Sequence, residues 1–204
     1  MKIKKQKTIK VKKGFSIGEV LLALFVLAFG IMTSVYLMAG SMQDTMRSRD
    51  LLVAAMLSQE GTELMRNIRD NNVTEKNSST DVRSEPFTGF PSGDGECSIN
   101  YEYDTDTDYN NASFLSSLNC PSSYELYFRE GDNGNLFYSH EGSSDNLTKF
   151  KRKIIVGYEG ELKRNIVSMV IWNRDDFPND KSECNIGQNC MYSETILTAW
   201  INLE

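Results

Sequence analysis

From Val20 to Gln43 no residue is charged, and apolar side chains fall on every face of any helix drawn through the run. A bilayer core needs roughly 20 apolar residues in a helix, so the run is long enough to span one. The pattern then changes. Residues 44–70 contain no proline, and Val53, Leu57, Gly61, Leu64 and Ile68 recur every three or four positions, which makes one helical stripe. Glu63 with Arg66, and Arg66 with Asp70, stand at helical pair spacings, and Asn71-Asn72 is the expected stop. A helix from Ser16 to about Asp70 would be about 80 Å long at 1.5 Å per residue. Its first half, apolar all round, belongs in lipid or between copies of itself. Its amphipathic second half needs a sheet to lie against.

Residues 71–96 are rich in Ser, Thr, Asn, Asp, Gly and Pro and read as a linker loop. Beyond Cys97 the period becomes two. Ile99, Tyr101 and Tyr103 alternate with polar residues, and Tyr124–Arg129 and Leu136–Glu141 flank the hairpin signal Gly131-Asp132-Asn133-Gly134. Lys149–Tyr158 alternates up to a turn at Gly160. Ile166–Trp172 is apolar on both faces, as a central strand is, and Tyr192–Leu203 puts Leu197, Ala199, Ile201 and Leu203 on one face. The expected fold is α+β, a long N-terminal α-helix packed against a C-terminal antiparallel β-sheet.

Residues 1–13 add seven lysines and no acid in front of the apolar run. By the positive-inside rule they place the N-terminus in the cytoplasm and the remainder of the chain outside. A secretory signal has an apolar region of roughly 7–15 residues followed by a small-residue cleavage site. Here the apolar region is longer, and the small residue, Gly14, precedes it. Losing the lysines would take the net charge from −6 to −13, a poor match for nucleic acid. The local basic run Lys149, Lys151, Arg152 and Lys153 alternates along a strand and is expected to be a solvated face.

One acid, Glu19, stands about a helical turn inside the apolar helix. A charge at a membrane-helix centre costs about 2.5–3.5 kcal/mol on insertion scales, so its presence calls for a function. Lys12-Lys13-Gly14-Phe15-Ser16-Ile17-Gly18-Glu19-Val20-Leu21-Leu22-Ala23 resembles the class III signal of type IV pilins, minor pilins and type II secretion pseudopilins. The resemblance covers residues 10–45. It implies that a prepilin peptidase cuts after Gly14 and N-methylates Phe15, and that Glu19 serves filament assembly. Gly18 departs from the larger aliphatic residue commoner there. The implied layout is a leader over 1–14, a transmembrane and assembly half-helix over 15–43, an amphipathic half-helix over 44–70 and an extracytoplasmic β-rich domain over 71–204. The implied partners are the peptidase, other pilin subunits through helix packing, and the inner-membrane assembly machinery.

Four cysteines, Cys97, Cys120, Cys184 and Cys190, lie in the exported half. They lack a Cys-x-x-Cys zinc knuckle, and an even count outside the cytoplasm reads as two disulfides. Of three pairings, 97–120 and 184–190 each close a short local loop. Asp104, Asp106 and Asp108 alternate like the start of a calcium loop, but Tyr109 replaces the glycine and Leu115 the glutamate that such a loop needs. A solvated acidic turn is expected, with calcium as the alternative, since some pseudopilins bind it. The single histidine, His140, has no nucleophile motif beside it and is expected at the surface. No cofactor or enzymatic activity is expected. The functional expectation is a minor pilin-like subunit of a type IV pilus or related filament. The alternatives are a secretion pseudopilin and a signal-anchored sensor or adhesin that never polymerises. Gly14→Val is expected to leave the chain at precursor mass when a prepilin peptidase is present, because the bulky side chain replaces the small residue at the cut.

Overall fold

In the computed structural model the described residues are 14, 16–74, 86–99, 118–119, 123–131 and 134–199. They form the expected α+β arrangement, one long helix and an antiparallel sheet. The chain divides into two compact units, Met1–Arg47 and Ser48–Glu204.

Helix α1 spans Ile17–Thr74. Within the first unit its apolar side chains, from Ile17 through Met46, are exposed, and it is long and apolar enough to cross a membrane. The hydroxyls in this stretch turn back on the helix: Thr33 Oγ1 donates to Gly30 O at 3.0 Å, Ser34 Oγ to Gly30 O at 2.8 Å and Thr45 Oγ1 to Ser41 O at 2.8 Å. Such bonds satisfy polar groups without water, as lipid requires.

In the second unit the strands are β1 (Gly95–Ile99), β2 (Leu118–Asn119), β3 (Glu125–Glu130), β4 (Leu136–Ser139), β5 (Leu147–Tyr158), β6 (Lys163–Trp172) and β7 (Cys190–Thr198). All neighbours are antiparallel. β5 pairs along its length with β6, and β6 with β7. On its other side β5 pairs with β3 near its start and β1 near its end, and these carry β4 and β2 outward. β3 and β4 pair as a hairpin, as the signal between them implies, and β6 lies between β5 and β7, as its sequence implies.

The helical stripe forms the core against this sheet. Leu64, Met65 and Ile68 pack with Ile154, Val156, Ile166 and Leu197, and Ala54 and Leu57 pack with Leu126, Phe150, Val170 and Trp172. The opposite face of β6 is covered too. Met169 and Ile171 pack with Phe177 and Cys184 from the segment before β7 and with Cys190 at its start. A strand buried on both faces reads as a continuous apolar run, which explains residues 166–172.

Several expectations are corrected. The helix passes Asn71-Asn72 and ends at Thr74. Asn71 Nδ2 donates one turn back to Asn67 Oδ1 at 2.9 Å, and Asn72 Nδ2 donates to Pro86 O at 3.1 Å and Thr88 O at 2.9 Å, so a bond within the helix and two tertiary ones hold a residue pair that locally favours a stop. Asp70 is bridged by Arg69, at 2.6 Å, rather than by Arg66, whose partner is Glu63. Part of the expected 71–96 linker is core. Phe87 and Phe90 stack edge to face at 5.4 Å and join the cluster around Ile68, and β1 begins at Gly95. β7 begins at Cys190, and Tyr101, Tyr103, Ile201 and Leu203 lie outside the described residues.

Gly61 sets the helix–sheet distance. A Cβ there would overlap Ser168 Oγ and lie 2.9 Å from Ile154 Cδ1. Replacing glycine in a helix gains about 1 kcal/mol of propensity, whereas overpacking a core costs about 1–3 kcal/mol. Gly61→Val, with two further methyls and a stiff side chain, is therefore expected to destabilise the domain by about 2 kcal/mol, read as a lower urea midpoint at unchanged slope.

Candidate assembly site

The helix starts at Ile17, and the Ser16 carbonyl accepts from the N–H of Glu19 at 3.0 Å and of Val20 at 3.2 Å. Gly14 is exposed, and a Cβ on it would meet nothing within 4 Å; Phe15 lies outside the described residues. Glu19 occupies the first turn, where the helix macrodipole favours an acid by about 0.3–1 kcal/mol. Ser16-x-x-Glu19 also has the spacing of a capping box, a signal that the stripe-based reading passed over. Neither effect matches the cost of an unpaired carboxylate taken fully out of water, which is several kcal/mol. Among the described residues no cation lies within ion-pair distance of Glu19.

Glycines separate the two parts of α1. At Gly30 and Gly40 an added Cβ would meet nothing within 4 Å, in contrast to Gly61. No contact within the described chain uses the space these two glycines leave.

The domain's titratable groups differ from expectation. The run 149–153 is not a solvated face. Arg152 is completely buried: Nη2 donates to Ile99 O at 2.8 Å, Nη1 to Leu57 O at 3.3 Å, and Glu60 lies 3.4 Å away. Burial pulls its pKa down, and Glu60 opposes that. Lys153 is buried with Nζ 2.8 Å from Glu96 and over the rings of Phe177 and Tyr124 at 5.0 and 5.9 Å. Lys149 bridges Asp50 at 2.5 Å, and Lys151 Nζ donates to Asp175 O at 3.1 Å. Alternation along β5 is therefore real, but one face meets the helix and the other meets aromatics, and each takes a cation. Outside that run, Arg164 sits between Phe87 and Tyr158, 4.7 and 4.5 Å from the ring centres.

His140 is buried rather than at the surface. Its Nδ1 lies 3.0 Å from Glu125 O, which fits the neutral ring with the proton on Nδ1. Burial, with the nearby Arg152 charge adding, lowers its pKa to about 3.

Cys184 and Cys190 form a disulfide, as their spacing implied. Cys97 is buried and disulfide-bonded, and Cys120 lies outside the described residues, as do Asp104, Asp106 and Asp108. Among the described residues no group of three His, Cys, Asp or Glu is placed to hold a metal. No family model, curated protein or solved structure matches the chain.

The histidine makes stability depend on pH. Its folded pKa, about 3, lies below its ordinary 6.5, so between these values the unfolded chain takes up a proton that the folded chain refuses. Stability from this group is complete above pH 6.5 and falls as pH drops towards 3, by up to about 1.4 kcal/mol per unit. His140→Gln keeps a donor for Glu125 O and does not titrate. Between pH 7 and 4.5 the wild type is expected to lose about 2 kcal/mol more than this variant, by urea denaturation at each pH.

Proposed function

We propose that the chain is a structural subunit of a type IV pilin-like filament, processed after Gly14 and assembled through α1. The observation that carries this reading is Glu19, the one charge in an otherwise uncharged helical stretch whose apolar side chains are exposed. The resemblance over residues 10–45 supplies the family and the cleavage chemistry. Gly30 and Gly40 support the reading, since small residues let membrane helices approach closely.

In this account the precursor sits in the cytoplasmic membrane with its lysines inside and its stapled α+β domain outside. A prepilin peptidase removes the leader and methylates the amine of Phe15. The assembly machinery then lifts the subunit into a filament. There the apolar stretches of α1 pack together, and Glu19 pairs with the cationic N-terminus of a neighbouring subunit. A buried acid is costly alone and tolerable when paired, so a subunit at the wrong height leaves a charge unmatched. The pairing thus sets register while the apolar surface supplies most of the attraction.

Glu19→Ala tests this directly. Cleavage is expected to continue, because the junction is intact, while incorporation falls. Losing one member of a buried ion pair costs about 3–5 kcal/mol, so the sheared filament fraction should hold at least tenfold less variant than wild type by immunoblot. Equal incorporation would end the register account.

A further inference from the structure

The hairpin of β3 and β4 continues past the core. β3 faces β5 only as far as Tyr127 opposite Leu147, and Phe128, Arg129 and Glu130 run on, paired with Tyr138, Phe137 and Leu136. Tyr138 belongs to the cluster containing Leu51 and Val53, stacks on Phe128 at 4.7 Å and meets Phe150 at 6.1 Å. That fixes the hairpin's place: this part lies beside the first turns of α1 in the domain unit. Lys149 on Asp50 marks the same level, whereas Arg152 reaches Leu57 further along, so β5 and α1 run in the same direction. The tip, closed by Gly131 N–H to Asn135 O at 2.8 Å, therefore lies at the Ser48 end of the unit.

At that end apolar side chains of the hairpin remain exposed. Phe128 is 41% and Leu136 69% exposed, and Leu147 at the start of β5 is 48% exposed. Beside them Arg129 lies over the Phe137 ring at 6.0 Å and bridges Glu141 at 3.4 Å. Only six residues separate Gln43, the last of the uncharged run, from Asp50, a connection of about 25 Å at most when fully extended.

We infer that the β3–β4 hairpin is a second membrane contact of this chain, with Phe128 and Leu136 entering the interface of the bilayer that residues 20–43 span. The inference rests on the spanning reading of α1. The shortness of the covalent connection keeps the hairpin within reach of the bilayer surface, and an aromatic, an aliphatic side chain and an arginine are the residue types that settle at that depth. Local charge is not the attraction. Arg129 and Lys149 are each already paired with an acid, and Glu130 adds a negative charge, so the fitting surface is a neutral phospholipid bilayer held through its apolar boundary. Before assembly such a contact would hold the domain in one orientation over the membrane.

The full chain in phosphatidylcholine vesicles, with or without bromine on the acyl chains, tests this. Three tryptophan variants are compared with the wild type, which supplies the background from Trp172 and Trp200. Leu136→Trp reports the hairpin and replaces an exposed side chain. Leu162→Trp, in the exposed turn after β5, reports the opposite end of the sheet, and Phe29→Trp reports the apolar helix. Quenching at position 136 about twofold or more above that at 162, together with strong quenching at 29, is the expected result. Strong quenching at 29 with equal values at 136 and 162 overturns the hairpin contact and leaves the spanning helix intact. No quenching at 29 overturns the spanning reading, and the hairpin inference with it.

Discussion

Side chains leave a helix in all directions, and what surrounds each stretch of α1 decides which directions must be apolar. From Val20 to Gln43 every direction is, which suits only a uniform apolar surrounding. From Val53 to Ile68 a single stripe is, because a sheet covers one side. The glycines record the same change. Gly61 is filled space, with Ser168 and Ile154 against it, while Gly30 and Gly40 border nothing in the described chain. Phe87 and Phe90 dock against that same face beside Ile68, while the other face of β6 is covered by Phe177, Cys184 and Cys190.

Two charges illustrate how the units differ. Arg152 is deeply buried, and the fold supplies its partners: carbonyls from α1 and β1, and the carboxylate of Glu60. Removing it would leave three elements without a shared hydrogen-bonding centre, so it ties helix to sheet as a donor rather than as an exposed cation. Glu19 has the converse situation. It lies in an apolar stretch, and the chain offers it a helix N-terminus and no cation among the described residues. The partners of one charge lie within the described chain, and those of the other do not.

Much of the fold was legible because its periods are long and clean. The stripe Val53 to Ile68, the 131–134 hairpin signal, the doubly apolar 166–172 run and the 184–190 cysteine spacing each depend on local pattern, and each matches the structure. What was not legible depends on partners distant in sequence. Arg152 and Lys153 read as a solvated face because nothing local shows that Glu60 and Leu57 stand over one, and Glu96, Tyr124 and Phe177 over the other. His140 is buried because Glu125, fifteen residues away, turns its carbonyl towards the ring. Asn71-Asn72 continues a helix because Pro86 and Thr88 accept from it. In the assembly segment the Ser16-x-x-Glu19 spacing was present in plain sight, although the membrane pattern of the following residues dominates it.

The central claim is that Gly14-Phe15 is a processing junction and that the mature chain begins with an apolar helix carrying Glu19. Intact mass and N-terminal sequencing of the full chain made with a prepilin peptidase test it most directly. The account predicts a chain without residues 1–14 that starts at N-methylated Phe15. A chain that keeps its lysines, or one cut after the apolar run, would contradict it and leave an ordinary anchored or secreted domain.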